Sequence, residues 1–433
     1  MHVSKKPIGF WSAVSMGIGA MVGAGIFALL GEASVISGSA VYISFIVGGI
    51  VALFSGYSLG KLGACYPSSG GIIEYLSQAY GAGLFTGSMG VMMYFAAVVS
   101  LSLVAKAFGN YAITFLPDHA ALQIWQHIFS IGVIVLFVLI NLGGAKDVAV
   151  LERVTVGIKF VVLAGLSVAG IIVIKPELLS TSHYPPINNV FFSIAITFFA
   201  YEGFRVITNV AEDMPDPSKT LPRAMVAAIL LVMLLYVMIA FAVFGNLPVS
   251  QVIAAKDFAL AQAALPIFGH VGFSVVAVTA LISTASAINA NLYAVTNVTY
   301  QLAKDGELPS LYGKPIAHSR EGLVVSGVFI IVSLLLFDLT EIAAIGSVSI
   351  LFIHAVTHIG HLKLINETGA SKIMIILAVL SSSIALVLSF IYISRELDHI
   401  IIILAGFVVV AAVTEFSLQK INKKEIRPRI KNI

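Results

Sequence analysis

The chain has 433 residues, of which 59% are hydrophobic and only 10% charged, with a formal net charge of +3 and a mean hydropathy of +1.02. Soluble domains carry about a quarter charged residues, so this composition excludes a soluble globular protein and describes a polytopic membrane protein, all-α by the long apolar runs below. The net charge says little about partners, and no nucleic acid is expected. The single cysteine, Cys65, excludes an internal disulfide.

A membrane-spanning helix needs about 20 apolar residues. About 12 such runs follow one another, near 9–30, 37–60, 82–114, 126–143, 152–174, 187–208, 223–245, 270–301, 322–337, 341–362, 372–393 and 399–416. They are continuous rather than alternating, which excludes a β-barrel. The residues before Phe10 carry no small-residue cleavage pattern, so no removable signal is expected. With the N-terminus inside and strict alternation, eighteen of the 24 Lys and Arg fall on the inner side. Three (Lys175, Lys256, Arg395) fall outside, and three (Lys106, Lys159, Arg205) lie within spans. This bias places both termini in the cytoplasm of a cell membrane. The tail from Lys420 to Lys431 fits either a plain topology signal or a patch against anionic lipid. The loops are short and no GxxxxGK[ST] loop is present, so ATP-driven work by this chain is not expected. Neither a nucleophile–base arrangement nor a metal-ligand cluster is visible, so no enzyme, cofactor or metal is expected.

The first span holds Gly17-Ile18-Gly19-Ala20-Met21-Val22-Gly23-Ala24-Gly25-Ile26-Phe27. Glycine costs roughly 1 kcal/mol per helical position relative to alanine, so a break is expected here, with a half-helix starting near Gly23. Discontinuous helices in membranes expose bare peptide groups at binding sites. Gly19 to Gly23 also reads as GxxxG, a helix-packing motif. A dinucleotide loop is excluded because no strand precedes it. The sixth span is interrupted by Tyr201-Glu202-Gly203-Phe204-Arg205. Interruptions five spans apart are what an inverted-repeat transporter carries at its midplane.

Lys159 lies in span five among apolar neighbours, where a cation is costly and a functional role is the default. His354, His358 and His361 share one face of span ten at i, i+4 and i+7. They fit a metal site, a proton relay or polar helix packing. Packing is preferred, because no neighbouring acid or cysteine completes a ligand set.

Several motifs, in order over roughly residues 9 to 310, resemble the amino acid–polyamine–organocation superfamily. The first span is similar to its GxGxxxGxGIF pattern. Pro67-Ser68-Ser69-Gly70-Gly71 is similar to the loop after its second helix, with Ile72 where tyrosine is common. Phe198-Phe199-Ala200-Tyr201, Gly203-Phe204, Ala211-Glu212-Asp213 and Leu221-Pro222-Arg223-Ala224 resemble its sixth helix and the loop beyond. Ser283-Thr284 through Asp305-Gly306-Glu307-Leu308-Pro309 resembles its eighth.

The resemblance implies a leucine-transporter-like 5+5 inverted repeat in residues 1–363, followed by two trailing helices and a basic tail in 364–433. It implies secondary transport of amino acids or related amines by alternating access, coupled to protons, with an amino acid or polyamine exchanger holding a structural lysine, or a transporter-like membrane sensor, as the alternatives. The substrate carboxylate is expected at the amides of Gly23, Ala24 and Gly25. The ammonium is expected at carbonyls of Met21, Phe199, Ala200 and Glu202, with Phe199 either shielding the site or simply packing. Lys159 is expected to contact the carbonyls of Gly19 and Val22 and the hydroxyl of Ser283 or Ser286. It either cycles a proton there or stands as a permanent cation joining spans one, five and eight. Glu202 either reads substrate charge or pairs with Arg205 or Lys106. Superfamily members with a disulfide-linked heavy chain use a cysteine between spans three and four. Leu116 to Gln126 has none, so that partner is not expected.

Overall fold

A computed structural model describes residues 8–68, 70–81, 83–117, 122–143, 148–305, 310–317 and 319–422. Ser69, the segment Gly306 to Pro309, and most of the basic tail therefore lie outside the described residues. The helices in chain order are α1 (Phe10–Ser37), α2 (Val41–Cys65), α3 (Ile72–Tyr80), α4 (Leu84–Ala112), α5 (Leu122–Leu142) and α6 (Val148–Ile172). Next come α7 (Ile187–Phe192), α8 (Ile194–Thr197) and a 3₁₀ segment, Phe199–Asp213. Then follow α9 (Pro217–Phe244), α10 (Val249–Ala254), α11 (Ala259–Asp305), α12 (Glu321–Leu336), α13 (Leu339–Lys363), α14 (Ile365–Thr368), α15 (Lys372–Glu396) and α16 (Asp398–Asn422). Every apolar run in the sequence thus becomes a helix, because hydrocarbon offers no partner for an open peptide group. A two-residue hairpin, β1 (Pro315–Ile316) with β2 (Ser319–Arg320), precedes α12.

Local chemistry sets the ends. Asp216 caps α9 ahead of Pro217, a proline at the position where its missing N–H does no harm. Asp338 and Glu341 form a reciprocal capping box at the start of α13. Gly269 turns at φ 66° inside the helical stretch assigned to α11, so the eighth span begins just after it, where the apolar run begins. Residues such as Val161, Leu336 and Ile402 point large apolar side chains outward, the face that lipid covers.

The glycine-rich stretch departs from expectation. No half-helix starts at Gly23: α1 is helical throughout, from Phe10 to Ser37. The glycines act instead by close approach. A Cβ on Gly25 would lie 2.6 Å from the Ala200 carbonyl oxygen, and one on Gly23 would lie 2.6 Å from Ala287 Cβ. The packing reading of the motif holds here, since missing side chains let neighbouring backbones sit against α1. The sixth span is broken as expected. α8 ends at Thr197, and the 3₁₀ segment then runs for 15 residues, where runs beyond three or four are uncommon and often mark a hinge. Gly203 lets this segment lie directly on the α1 backbone at Ala20 and Met21.

Candidate functional site

Where α1 and the 3₁₀ segment cross, a cavity opens. Its wall includes Met21 and Gly25 from α1 and Phe199, Ala200 and Glu202 from the 3₁₀ segment. Five residues drawn from separate stretches of sequence are therefore brought to one place. Gly23 faces Ala287 of α11 instead; Ala24 lies between them on the same continuous helix. The far wall comes from α4 and α11, including Ser100 and Asn291. Sequence reasoning missed these two, because single small polar residues in apolar helices carry no spacing signal. Phe199 is buried and its ring lies over Gly346 of α13, so it both lines the cavity and packs.

Carbonyls in the glycine-rich part of α1 are engaged from α6, α9 and α11. Lys159 of α6, only 2% exposed, donates from Nζ to the Gly19 carbonyl at 2.6 Å. The Val22 carbonyl accepts from Ser283 of α11 at 3.3 Å. Ser286 sits on α11 one turn further on, half-buried. The Met21 carbonyl accepts from the Tyr236 hydroxyl of α9 at 2.8 Å, and the same hydroxyl lies 3.2 Å from the Ala200 carbonyl. Two carbonyls expected to take the substrate ammonium are thus shared with Tyr236. This residue was overlooked because a tyrosine in an apolar helix reads as packing.

Glu202 is paired with Arg205, one turn along the same segment. Lys106 is not its partner: that amine donates to the carbonyls of Leu334, at 3.2 Å, and Phe337. The second carboxylate oxygen of Glu202 points toward His354 Nε2 at 4.0 Å. The acid missing beside the span-ten histidines in sequence is therefore supplied by span six. Among the described residues no group of three or more His, Cys, Asp or Glu is arranged to hold a metal ion.

At the opposite end of α1, Glu32 is buried and meets Lys256 at 3.3 Å. Thr340 donates to the same carboxylate. This cluster ties α1 to the loop before α11 and to α13. Outside the spans, Asp216 is held below the usual carboxylate range by the Ser218 hydroxyl and then by Lys219.

Comparison with known proteins identifies the family. The chain is 38% identical to the inner membrane transport protein YbaT of Escherichia coli over 89% of its own length and 90% of that protein's. It is 28% identical to the serine/threonine exchanger SteT of Bacillus subtilis over 72% of this chain and 71% of that one. It is 26% identical to the methylthioribose transporter of the same organism over 69% and 67%. These relatives are transporters rather than enzymes. The amino acid permease family model matches residues 8–417, and the chain, a multi-pass membrane protein, belongs to that family.

Proposed function

We propose that this permease is a secondary active transporter of amino acids that works by alternating access and is coupled to protons, with both termini in the cytoplasm. The observation that carries the reading is the cavity at the crossing of α1 and the 3₁₀ segment, with Lys159 on the α1 backbone beside it. The packing of the spans supports a two-repeat architecture. α1 lies on the 3₁₀ segment, α2 on α9, and α4 on α11; each pair is a span and the span five later. Two repeats that rock against one another can expose one midplane cavity to either side.

In this reading the substrate carboxylate takes the amides of Gly23, Ala24 and Gly25. Those amides belong to a continuous helix in the present conformation, so binding must loosen α1 there. Glycines make that loosening easy, at roughly 1 kcal/mol of lost helix preference each. The ammonium takes carbonyls of Phe199, Glu202, Met21 or Ala200, competing with Tyr236 at the last two. With Glu202 neutralised by Arg205, the cavity suits substrates of no net charge. Lys159 couples: protonated, it clamps α6 to Gly19; deprotonated, it releases the clamp. A fixed lysine and obligatory exchange form a second reading, favoured by the short 2.6 Å bond and by the exchanger activity for which the Bacillus subtilis relative is named.

Purified protein in liposomes tests this. Concentrative uptake of radiolabelled amino acids driven by an inward proton gradient supports symport. Uptake only against internal amino acid supports exchange. Absence of saturable flux for any amino acid would refute the transport reading.

A further inference from the structure

The span-ten histidines are linked end to end. His354 Nδ1 lies 2.9 Å from the Ser55 hydroxyl, which lies 2.8 Å from His358 Nε2. His358 Nδ1 lies 2.9 Å from the Ser58 hydroxyl, which lies 2.8 Å from His361 Nδ1. His361 Nε2 lies 2.9 Å from the Thr368 hydroxyl. Each imidazole therefore uses one ring nitrogen toward each neighbour, and two serines of α2 bridge three histidines of α13. All five side chains are buried, while Thr368 is half-buried beside the exposed Glu367. The other end meets Glu202, a residue of the cavity wall, at Oε2. That oxygen and His354 Nε2 are both buried without a hydrogen bond, 4.0 Å apart. The rings of Phe198 and Phe204 flank His354 edge-on.

We propose that Glu202, His354, Ser55, His358, Ser58, His361 and Thr368 form a proton relay from the substrate cavity to the face that the Lys/Arg bias assigns to the cytoplasm. A merely structural interface would not need His358 and His361 each to bond in line through both ring nitrogens, with His354 joined through Nδ1 and its Nε2 turned toward Glu202. An imidazole can accept a proton on one nitrogen and release one from the other. In one of the two polarities that satisfy these bonds, each ring N–H donates onward, each serine accepts from one ring and donates to the next, and Thr368 donates to the Leu364 carbonyl; the reverse polarity is the state left after a proton has passed.

In the first polarity His354 Nε2 carries no proton. When Arg205 releases Glu202, the carboxylate takes a proton from hydronium in the cavity; as the gap to His354 closes, that new O–H bond breaks while the His354 Nε2–H bond forms. His354 loses its Nδ1 proton to Ser55, whose own proton passes to His358 Nε2. His358 Nδ1 then gives a proton to Ser58, Ser58 gives one to His361 Nδ1, and His361 Nε2 gives one to Thr368. Thr368 releases its hydroxyl proton to water. One proton leaves Glu202, one reaches solvent, and the tautomers and hydroxyls must turn back before the next transfer. The 4.0 Å gap keeps the relay from leaking while Arg205 holds Glu202. The charged groups that face it are Glu202 and Arg205 from span six, Lys61 from α2, and Lys363 and Glu367 near the exit.

The inference rests on proton-coupled transport but not on Lys159. The test uses liposomes with an internal pH dye and, outside, a radiolabelled mixture of the common protein amino acids. His358→Gln keeps a donor and an acceptor but cannot pass a proton through itself. It should retain amino acid counterflow while substrate-driven internal acidification falls by about tenfold or more. Ser55→Ala should behave alike, and Ser55→Thr, which restores the hydroxyl, should recover acidification. Wild-type acidification that persists unchanged in His358→Gln and Ser55→Ala would overturn the relay, and if lost in Lys159→Ala would leave coupling with the lysine alone. Wild-type uptake without any acidification would overturn both the relay and proton symport. No uptake at all would refute the transport reading and the relay with it.

Discussion

Replacing Lys159 by alanine, with methionine as the variant that keeps the aliphatic stem, removes a buried amine that donates to the Gly19 carbonyl at 2.6 Å. Hydrogen bonds to charged groups contribute about 1.5–3 kcal/mol. If the bond forms in only one of the two transport conformations, its loss shifts their ratio by about 10- to 150-fold. A ligand or proton can move a conformational equilibrium only by its differential affinity for the two states, so this ratio is also the largest effect that protonating Lys159 can have through this bond. The expected outcome in both variants is transport that no longer responds to pH, rather than the same pH profile at a lower rate. The assay is initial uptake rate against pH in liposomes, wild type beside both variants, with monodisperse elution as the control for folding. Active variants with the wild-type profile would refute the reasoning and remove Lys159 from the coupling step.

Gly25→Ala would place a methyl group 2.6 Å from the Ala200 carbonyl oxygen. Overpacking of this kind costs about 1–3 kcal/mol, so a lower thermal unfolding temperature and weaker amino acid binding by calorimetry are expected; wild-type values for both would show that the close approach is dispensable. Glu202→Gln leaves Arg205 without its counter-charge. Lower stability is expected, with little change in the preference between alanine and lysine uptake, whereas a selective change in lysine uptake would show that the carboxylate reads substrate charge. Tyr236→Phe keeps the ring and removes the hydroxyl shared by the Met21 and Ala200 carbonyls. A loss of about 1–3 kcal/mol is expected for a buried acceptor left without its donor, read as a fall in unfolding temperature with the pH profile of uptake intact; an unchanged unfolding temperature would show that neither carbonyl depends on it.

The class of the protein and the order of its spans were determined by the sequence alone. Among the described residues ten helices are long and apolar enough to cross a bilayer, and an apolar run has no alternative to a helix there. The interruption at Glu202, Gly203 and Arg205 was legible for the same reason, since two charges and a glycine in an apolar run oppose regular helix. The intact helix at Gly17 to Phe27 was not legible. Propensity opposes a helix at those positions, but Ala200, Ala287 and the 3₁₀ segment fill the space the glycines leave, and tertiary packing overrides the local preference. Glu202 had three open readings until the fold placed it at once against Arg205, the cavity and His354. Lys106 lost that role only because the end of α12 offered its amine nearer acceptors. The three histidines could be assigned to one face from their spacing, but Ser55 and Ser58, about 300 residues earlier in sequence, become their partners only when α2 packs beside α13. Period and composition decide which helices form; which polar groups meet across them is decided by packing, because each pairing depends on distances between elements that no local pattern encodes.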